Sequence, residues 1–133
     1  MDPRLSIITL GVSDLERSTI FYRDGLGLPR SDASNDRISF FRTGNTWLAL
    51  FPREALAKDA CVSAAGSGFP RFTIAHNVET RADVHQVLSE AESAGGRIVK
   101  PAQETTWGGY SGYFADPDGF LWEIACEVPF QIE

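Results

Sequence analysis

The sequence predicts an α+β protein made of two β-α-β-β-β modules, and three observations support this. The same order of strand-like and helix-like segments occurs twice in a chain of 133 residues. Val12 and Val78 stand at matching places before a helix start, and Gly44 and Gly119 stand in matching turns. Neither half would bury much apolar surface alone, so both should contribute to one folded domain. The predicted boundaries are a single domain at 1–133, with modules at about 5–52 and 71–128 and a linker at about 53–70.

The first module should begin with a strand and continue into a capped helix. Ser13 is the predicted N-cap, because Glu16 three residues later would complete a capping box. Gly25 and Gly27 should end the helix, since glycine adopts positive φ at little cost. The predicted elements are a strand at 5–10, a helix at about 14–24, and strands near 37–42 and 46–51.

The second module repeats that order with a longer helix. Thr80 is its predicted N-cap, and Gly95 with Gly96 should end it. One apolar stripe has the i, i+3, i+4, i+7 spacing of a helix packed on a core: Val84, Val87, Leu88 and Ala91. The predicted strands flank this helix at 72–78 and at 97–99, with a loop at 100–109 before a final hairpin.

That hairpin is predicted from strong turn chemistry at 116–119, Asp-Pro-Asp-Gly, between aromatic and β-branched runs. Its second strand contains one carboxylate, Glu123, between Trp122 and Ile124. A carboxylate on a half-buried strand is costly unless a partner compensates it. Glu123 is therefore the first candidate for a functional residue.

Bulk properties exclude several classes of partner. The net charge is −6 and no Lys/Arg cluster occurs, which argues against nucleic acid. No apolar run approaches the roughly 20 residues that cross a bilayer, so we expect no membrane partner. Residues 1–4 lack a signal-peptide pattern, and Cys61 and Cys126 have neither metal-ligand nor disulfide-framework spacing. We therefore expect a cytoplasmic protein.

The segments 12–18, 21–28 and 113–119, together with Trp122-Glu123, resemble the vicinal oxygen chelate superfamily. This superfamily includes glyoxalase I, bleomycin-resistance proteins, fosfomycin-resistance enzymes and extradiol dioxygenases, and the resemblance extends over about residues 5–128. It implies two βαβββ modules that form a curved, mostly antiparallel sheet around a cleft, and it implies a homodimer. It does not imply one reaction, because the fold has many functions.

The resemblance also implies where a metal would bind, on the first and last strand of each module. Alignment of the two halves assigns these positions to Ile7, Leu48, Thr73 and Glu123. Only Glu123 is a good ligand, whereas divalent catalytic sites need about three protein ligands. We therefore expect no cofactor and disfavour a divalent metal. His76 could join Glu123 only if a bulge turned it to the same face, because 73, 75 and 77 share one face of a regular strand.

Strand alternation then predicts what would line the cleft. Tyr113 should lie opposite Glu123 across the hairpin. Trp107 and Tyr110 precede the hairpin in a glycine-broken loop, which would form either a lid or packing over the sheet edge. The predicted ligand-binding residues are Tyr113, Asn77, Thr73, Thr9, Leu48, Trp107 and Tyr110.

Glu123 has three alternative roles: a general base, an acceptor of a hydrogen bond from Tyr113 or a ligand, or an ion-pair partner of Arg42. The favoured function is metal-free binding of a small organic molecule, similar to bleomycin-resistance proteins. One alternative is a glyoxalase-like lyase or dioxygenase-like enzyme with a divalent metal held partly by Glu123. The other is a metal-independent lyase or isomerase with Glu123 as base.

Overall fold

A computed structural model describes residues 1–130 of the chain and confirms the α+β class, with two sheets of mixed strands. The chain divides into two compact units, Met1–Ser67 and a second that begins at Gly68. Within residues 1–130, no helix has both the length and the apolar composition that crossing a membrane requires.

The first unit contains a three-stranded sheet in the order β1-β3-β2. Its elements are β1 (Ile7–Val12), α1 (Leu15–Ile20), a π-helical segment (Phe21–Gly25), β2 (Ser39–Phe41), β3 (Trp47–Pro52) and α2 (Arg53–Asp59). β1 runs parallel to β3, and β2 runs antiparallel to β3. The sequence predicted four strands for this module, one more than the first sheet contains. An isolated bridge joins Arg30 to Phe41 beside β2. α2 occupies the start of the predicted linker.

The predicted N-cap of α1 was wrong by one residue. Asp14 has the extended backbone of a cap, and its carboxylate accepts a hydrogen bond from the Arg17 N–H at 3.0 Å. The hydroxyl of Ser13 instead accepts from the Arg17 guanidinium. Both residue types are good caps, but the negative charge of Asp14 is also favoured beside the positive end of the helix dipole.

Aromatic side chains fill the core of the first unit. Phe21 and Tyr22 meet edge to face with ring centroids 5.0 Å apart, and Tyr22 lies 6.1 Å from Phe41. All three side chains are buried. Because Phe41 pairs with Leu48 in the sheet, this aromatic cluster covers the face of β3 that carries Leu48.

The second unit contains a four-stranded sheet in the order β4-β7-β6-β5. Its elements are β4 (Thr73–Asn77), α3 (Arg81–Ser93), β5 (Arg97–Glu104), β6 (Tyr110–Ala115) and β7 (Leu121–Cys126). The predicted strand at 97–99 is confirmed but ends too early, and the predicted loop at 100–109 is confirmed only at 105–109, because β5 continues through Pro101 to Glu104. Its register against β6 shifts twice, so the strand lacks the simple alternation that a sequence pattern requires.

The predicted helix of this unit is confirmed. Thr80 caps α3 in a reciprocal capping box with Asp83. Val84, Leu88 and Ala91 are buried, as the apolar stripe predicted. α3 covers one face of the sheet at Gly112, where a Cβ would come within 2.7 Å of the Leu88 side chain.

The hairpin is also confirmed, and its turn fixes the pairing of β6 with β7. The Asp116 carboxylate accepts backbone N–H groups of Asp118 at 2.9 Å and Phe120 at 2.8 Å. Gly119 has φ of 90°, which glycine adopts without strain. In the resulting register Tyr113 pairs with Glu123.

Candidate functional site

One face of the second sheet carries the Tyr113–Glu123 pair. Gly112 contacts α3, and successive strand residues point to opposite faces, so Tyr113 projects from the face away from α3. Residues paired across neighbouring strands share a face, which defines the rest of this surface. We call it the Glu123 face; its members on β4, β6 and β7 are Thr73, Ala75, Asn77, Ser111, Tyr113, Ala115, Leu121, Glu123 and Ala125.

Tyr113 and Glu123 are both half-buried and complement each other chemically. Burial raises the pKa of the Tyr113 phenol above its ordinary value of 10.0, and the charge and hydrogen-bonding capacity of Glu123 raise it further. The phenol therefore remains a proton donor at neutral pH, while a carboxylate is an acceptor. Within residues 1–130 Glu123 makes no ion pair, and the guanidinium of its suggested partner Arg42 lies over the Trp47 ring at 5.7 Å.

The raised pKa of Tyr113 predicts a loss of stability at alkaline pH. A group that binds its proton more tightly when folded stabilises the fold fully below its unfolded pKa, and that contribution is lost as pH rises through the folded value. We therefore expect the free energy of unfolding to fall more steeply above pH 10 in the wild type than in Tyr113→Phe. Urea unfolding at pH 8 to 11 measures this difference, and parallel curves for the two proteins would contradict it.

Two predicted residues of β4 lie on the Glu123 face. Thr73 pairs with Leu121 and Asn77 pairs with Ala125, and both polar side chains are exposed. His76 pairs with Ile124, which belongs to the opposite face. The register of β4 runs without a bulge, so the structure does not bring His76 to Glu123.

One interpretation of the sequence placed Tyr110 in a lid loop, but the structure places it in a strand. It is the first residue of β6 and, three positions from Tyr113, faces the side of α3. Its hydroxyl lies 2.7 Å from Nε2 of His85, and the Arg81 guanidinium lies 4.6 Å from its ring centroid. The structure therefore separates Tyr110 from the Tyr113–Glu123 pair.

Trp107 lies in the short loop before β6, and hydrogen bonds close this loop. The N–H of Thr105 donates to the Gly109 carbonyl at 3.0 Å, and the Gly109 N–H donates to the Thr105 hydroxyl at 2.9 Å. The indole lies against Gly109, where a Cβ would come within 1.9 Å of it, and the side chain is 45% exposed. Gly109 thus allows a close approach of backbone and ring.

The two residues predicted from the first unit lie on opposite faces of its sheet. Leu48 is 4% exposed and pairs with Ile8 and Phe41, on the face that the aromatic core covers. Thr9 pairs with Ala49 and shares the other face with Ile7. Leu48 is therefore a core residue, and its prediction as a ligand-binding residue was wrong.

The same register corrects the matching of the two modules. Ile7 pairs with Trp47, as Thr73 pairs with Leu121, so the counterpart of Glu123 is Ala49 and not Leu48. Two residues separate Gly44 from β3 in the first module, whereas one residue separates Gly119 from β7 in the second. An alignment based on the two glycines is therefore shifted by one residue in the last strand.

The donor set does not fit a divalent metal centre. The four family positions become Ile7, Ala49, Thr73 and Glu123, of which only the last is a strong ligand. Over the described residues 1–130, no group of three or more His, Cys, Asp or Glu side chains could hold a metal ion. The partner of Glu123 across the sheet is the Tyr113 phenol and not a second metal ligand.

The sequence patterns missed two polar residues of this surface. Lys100 pairs with Tyr113 and Gln103 pairs with Ser111, so both lie on the Glu123 face. Periodicity could not reveal them, because register shifts separate them from Ile98 and from each other. Pro101 between them was the one usable signal, since proline inside a strand is confined to edges and bulges.

Fold and site together define the class: an α+β protein with two sheet-bearing units, one of which has a half-buried phenol–carboxylate pair on one face of its sheet. The chain belongs to the Glyoxalase/Bleomycin resistance protein/Dioxygenase superfamily, whose sequence pattern matches residues 4–124.

Three proteins are similar to this chain over nearly their whole length. The uncharacterized protein YraH of Bacillus subtilis is 32% identical over 126 residues, covering 91% of this chain and 96% of YraH. The crystal structure of a glyoxalase-related enzyme from Fulvimarina pelagi superimposes with a TM-score of 0.88 at 34% identity, covering 98% of this chain and 93% of that one. The hypothetical protein SA1046 of S. aureus, at 24% identity and a TM-score of 0.82 over 95% and 94% of the two chains, shows the shared fold alone.

Proposed function

We propose that the chain binds a small organic molecule on the Glu123 face without a bound metal. The observation that carries this proposal is the half-buried Tyr113–Glu123 pair, a donor beside an acceptor. Small side chains at Ser111, Ala115 and Ala125 flank the pair along β6 and β7, and all three are buried. Small-molecule sites typically combine an apolar lining with a few such placed polar groups.

The pair specifies the chemistry of the ligand. A phenol that keeps its proton donates to a carbonyl or ether oxygen, whereas a carboxylate accepts from a hydroxyl or an amine. The ligand should therefore carry at least one group of each kind. Thr73 and Asn77 add exposed hydrogen-bonding groups on the same face.

A second candidate function is that of a metal-independent lyase or isomerase, with Glu123 as general base. The observation that favours it is that Glu123 makes no ion pair within residues 1–130, so its lone pairs can accept a proton. Exchange of a carbon-bound hydrogen of the ligand with D2O, followed by NMR, tests this role. Exchange that persists in Glu123→Gln would contradict it.

Thermal-shift screening with small aromatic and aliphatic molecules tests the binding proposal. A molecule at a hundredfold excess over its Kd stabilises the fold by about 2.7 kcal/mol. We expect Tyr113→Phe and Glu123→Gln each to lower affinity by about tenfold, equivalent to one lost hydrogen bond of about 1.4 kcal/mol.

Matched controls come from the same unit. Tyr110→Phe changes a tyrosine on the α3 side, and Glu92→Gln changes an exposed carboxylate of α3. Both should bind the molecule like the wild type. Molecules that shift all five proteins equally would contradict the proposed site.

Metal analysis of the purified, untagged protein distinguishes metal-free binding from a metal-dependent enzyme. Stoichiometric zinc, nickel, manganese or iron that disappears in Glu123→Ala would overturn metal-free binding in favour of a metal-dependent lyase or dioxygenase. We also propose a cytoplasmic homodimer, and sedimentation as a monomer at micromolar concentration would contradict the dimer.

A further inference from the structure

We infer that Lys100 is a further ligand-binding residue of the Glu123 face, and that the ligand is therefore a small organic acid whose anionic group Lys100 binds. This inference rests on the proposed function and names its ligand class. It follows from the register of β5, the distribution of charge over the face, and the absence of a Lys100–Glu123 ion pair within residues 1–130.

A bulge at Val99 places Lys100 on this face. Ile98 pairs with Phe114, which lies on the α3 side, whereas Lys100 pairs with Tyr113. Residues two apart on a regular strand would share a face, so the register shift between them turns Lys100 to the opposite side. Without the bulge its ammonium group would point toward the layer that contains α3.

A second bulge keeps the following polar residue on the same side. Gln103 stands three positions after Lys100 and would face away from it on a regular strand, yet it pairs with Ser111 on the Glu123 face. Pro101 and Ala102 absorb the extra length opposite Gly112, whose missing side chain admits the backbone of β5: a Cβ would lie 3.0 Å from the Lys100 carbonyl oxygen. Two irregularities in eight residues thus bring two polar side chains to one surface.

One row across the sheet now contains a cation, a donor and an acceptor. Lys100 pairs with Tyr113 and Tyr113 pairs with Glu123, so the three residues stand on three adjacent strands. Strand spacing of about 4.8 Å separates the backbones of Lys100 and Glu123 by about 10 Å. Within residues 1–130 the two side chains form no ion pair with each other, so neither charge neutralises the other.

This arrangement decides the charge of the ligand. Glu123 alone, in a chain with a net charge of −6, would repel an acid. Lys100 supplies a positive charge at one end of the row, and Arg97, which pairs with Ala115, lies on the same face of β5. An acid can place its anionic group at Lys100 and its hydroxyl at Glu123, with the Tyr113 phenol between them.

The test compares acids with neutral amides of the same shape. The probes are 3-hydroxybenzoate and 4-hydroxybenzoate with their primary amides, titrated calorimetrically against the full chain. We expect wild type to bind at least one acid about tenfold more tightly than its amide. Lys100→Met should lower acid affinity about tenfold and leave amide affinity unchanged, whereas Lys100→Arg should retain the preference.

The matched control is Lys58→Met, which removes the only other lysine of the chain, from α2 of the first unit, and should bind like the wild type. An acid preference that survives in Lys100→Met, or failure of every acid to bind, would overturn the inference. If the amides bind and lose affinity in Tyr113→Phe, the proposed site on the Glu123 face stands even though the inference about Lys100 fails. If acid binding depends on Lys100 but not on Tyr113 or Glu123, the proposed site itself is wrong.

Discussion

Replacing Phe114 by alanine is expected to lower the free energy of unfolding by about 3–5 kcal/mol, the usual cost of deleting a buried aromatic ring. The Phe114 side chain is 1% exposed and lies on the α3 side of β6. Its ring is nearly parallel to that of Trp122, with an interplanar angle of 4° and centroids 6.0 Å apart. The substitution leaves a cavity beneath the strands that carry Tyr113 and Glu123, and neighbouring strands cannot close it without moving.

Urea unfolding at neutral pH measures this loss, with Phe69→Ala as the control. Phe69 belongs to the same unit and is 63% exposed, so its truncation should change the free energy of unfolding by less than about 0.5 kcal/mol. Phe114→Leu keeps most of the buried volume and should cost less than the alanine variant. A loss below about 1.5 kcal/mol in Phe114→Ala would show that the ring is not part of the core of the second unit.

The hairpin that carries Tyr113 and Glu123 could be predicted from the sequence because local chemistry and pattern agree there. The turn residues at 116–119 fix the hairpin, and strict alternation on both sides then assigns Tyr113 and Glu123 to one face. Thr80 and the apolar stripe after it predict α3 for the same reason, since capping and helical period indicate the same element. These features depend only on residues close together in the chain.

The features that were missed depend on where the chain departs from a regular period. The bulges of β5 cannot be derived from a run in which Lys100 and Pro101 interrupt the apolar alternation. Leu48 was assigned to the wrong face because one extra residue in a turn reverses every side chain of the following strand. Ser13 and Asp14 are both competent caps, so only the backbone conformation distinguishes them.

Asp116→Ala is expected to lower the free energy of unfolding by about 2–4 kcal/mol. The Asp116 side chain is 4% exposed, and its carboxylate accepts the backbone N–H groups of Asp118 and Phe120. A hydrogen bond to a charged acceptor contributes about 1.5–3 kcal/mol, and because both N–H groups share Oδ1 of Asp116 their contributions add to less than twice that value. Alanine leaves both donors without this partner. Asp116→Asn keeps a side-chain oxygen that can accept, so it should lose about 1 kcal/mol or less. Urea unfolding of the three proteins measures the difference.

The same substitution should affect binding, because this turn determines which residue of β6 pairs with Glu123. The Asp116 N–H also donates to the Phe120 carbonyl, so the carboxylate and the backbone together hold the first pair of the hairpin. If the turn relaxes, Tyr113 no longer lies reliably opposite Glu123, and a ligand that needs both groups loses affinity even where the chain remains folded. We expect Asp116→Ala to bind more weakly than Asp116→Asn at a temperature where both are fully folded, by about tenfold, the value of one lost hydrogen bond. Equal affinities together with unequal stabilities would mean that the strands hold the pair in register without the turn.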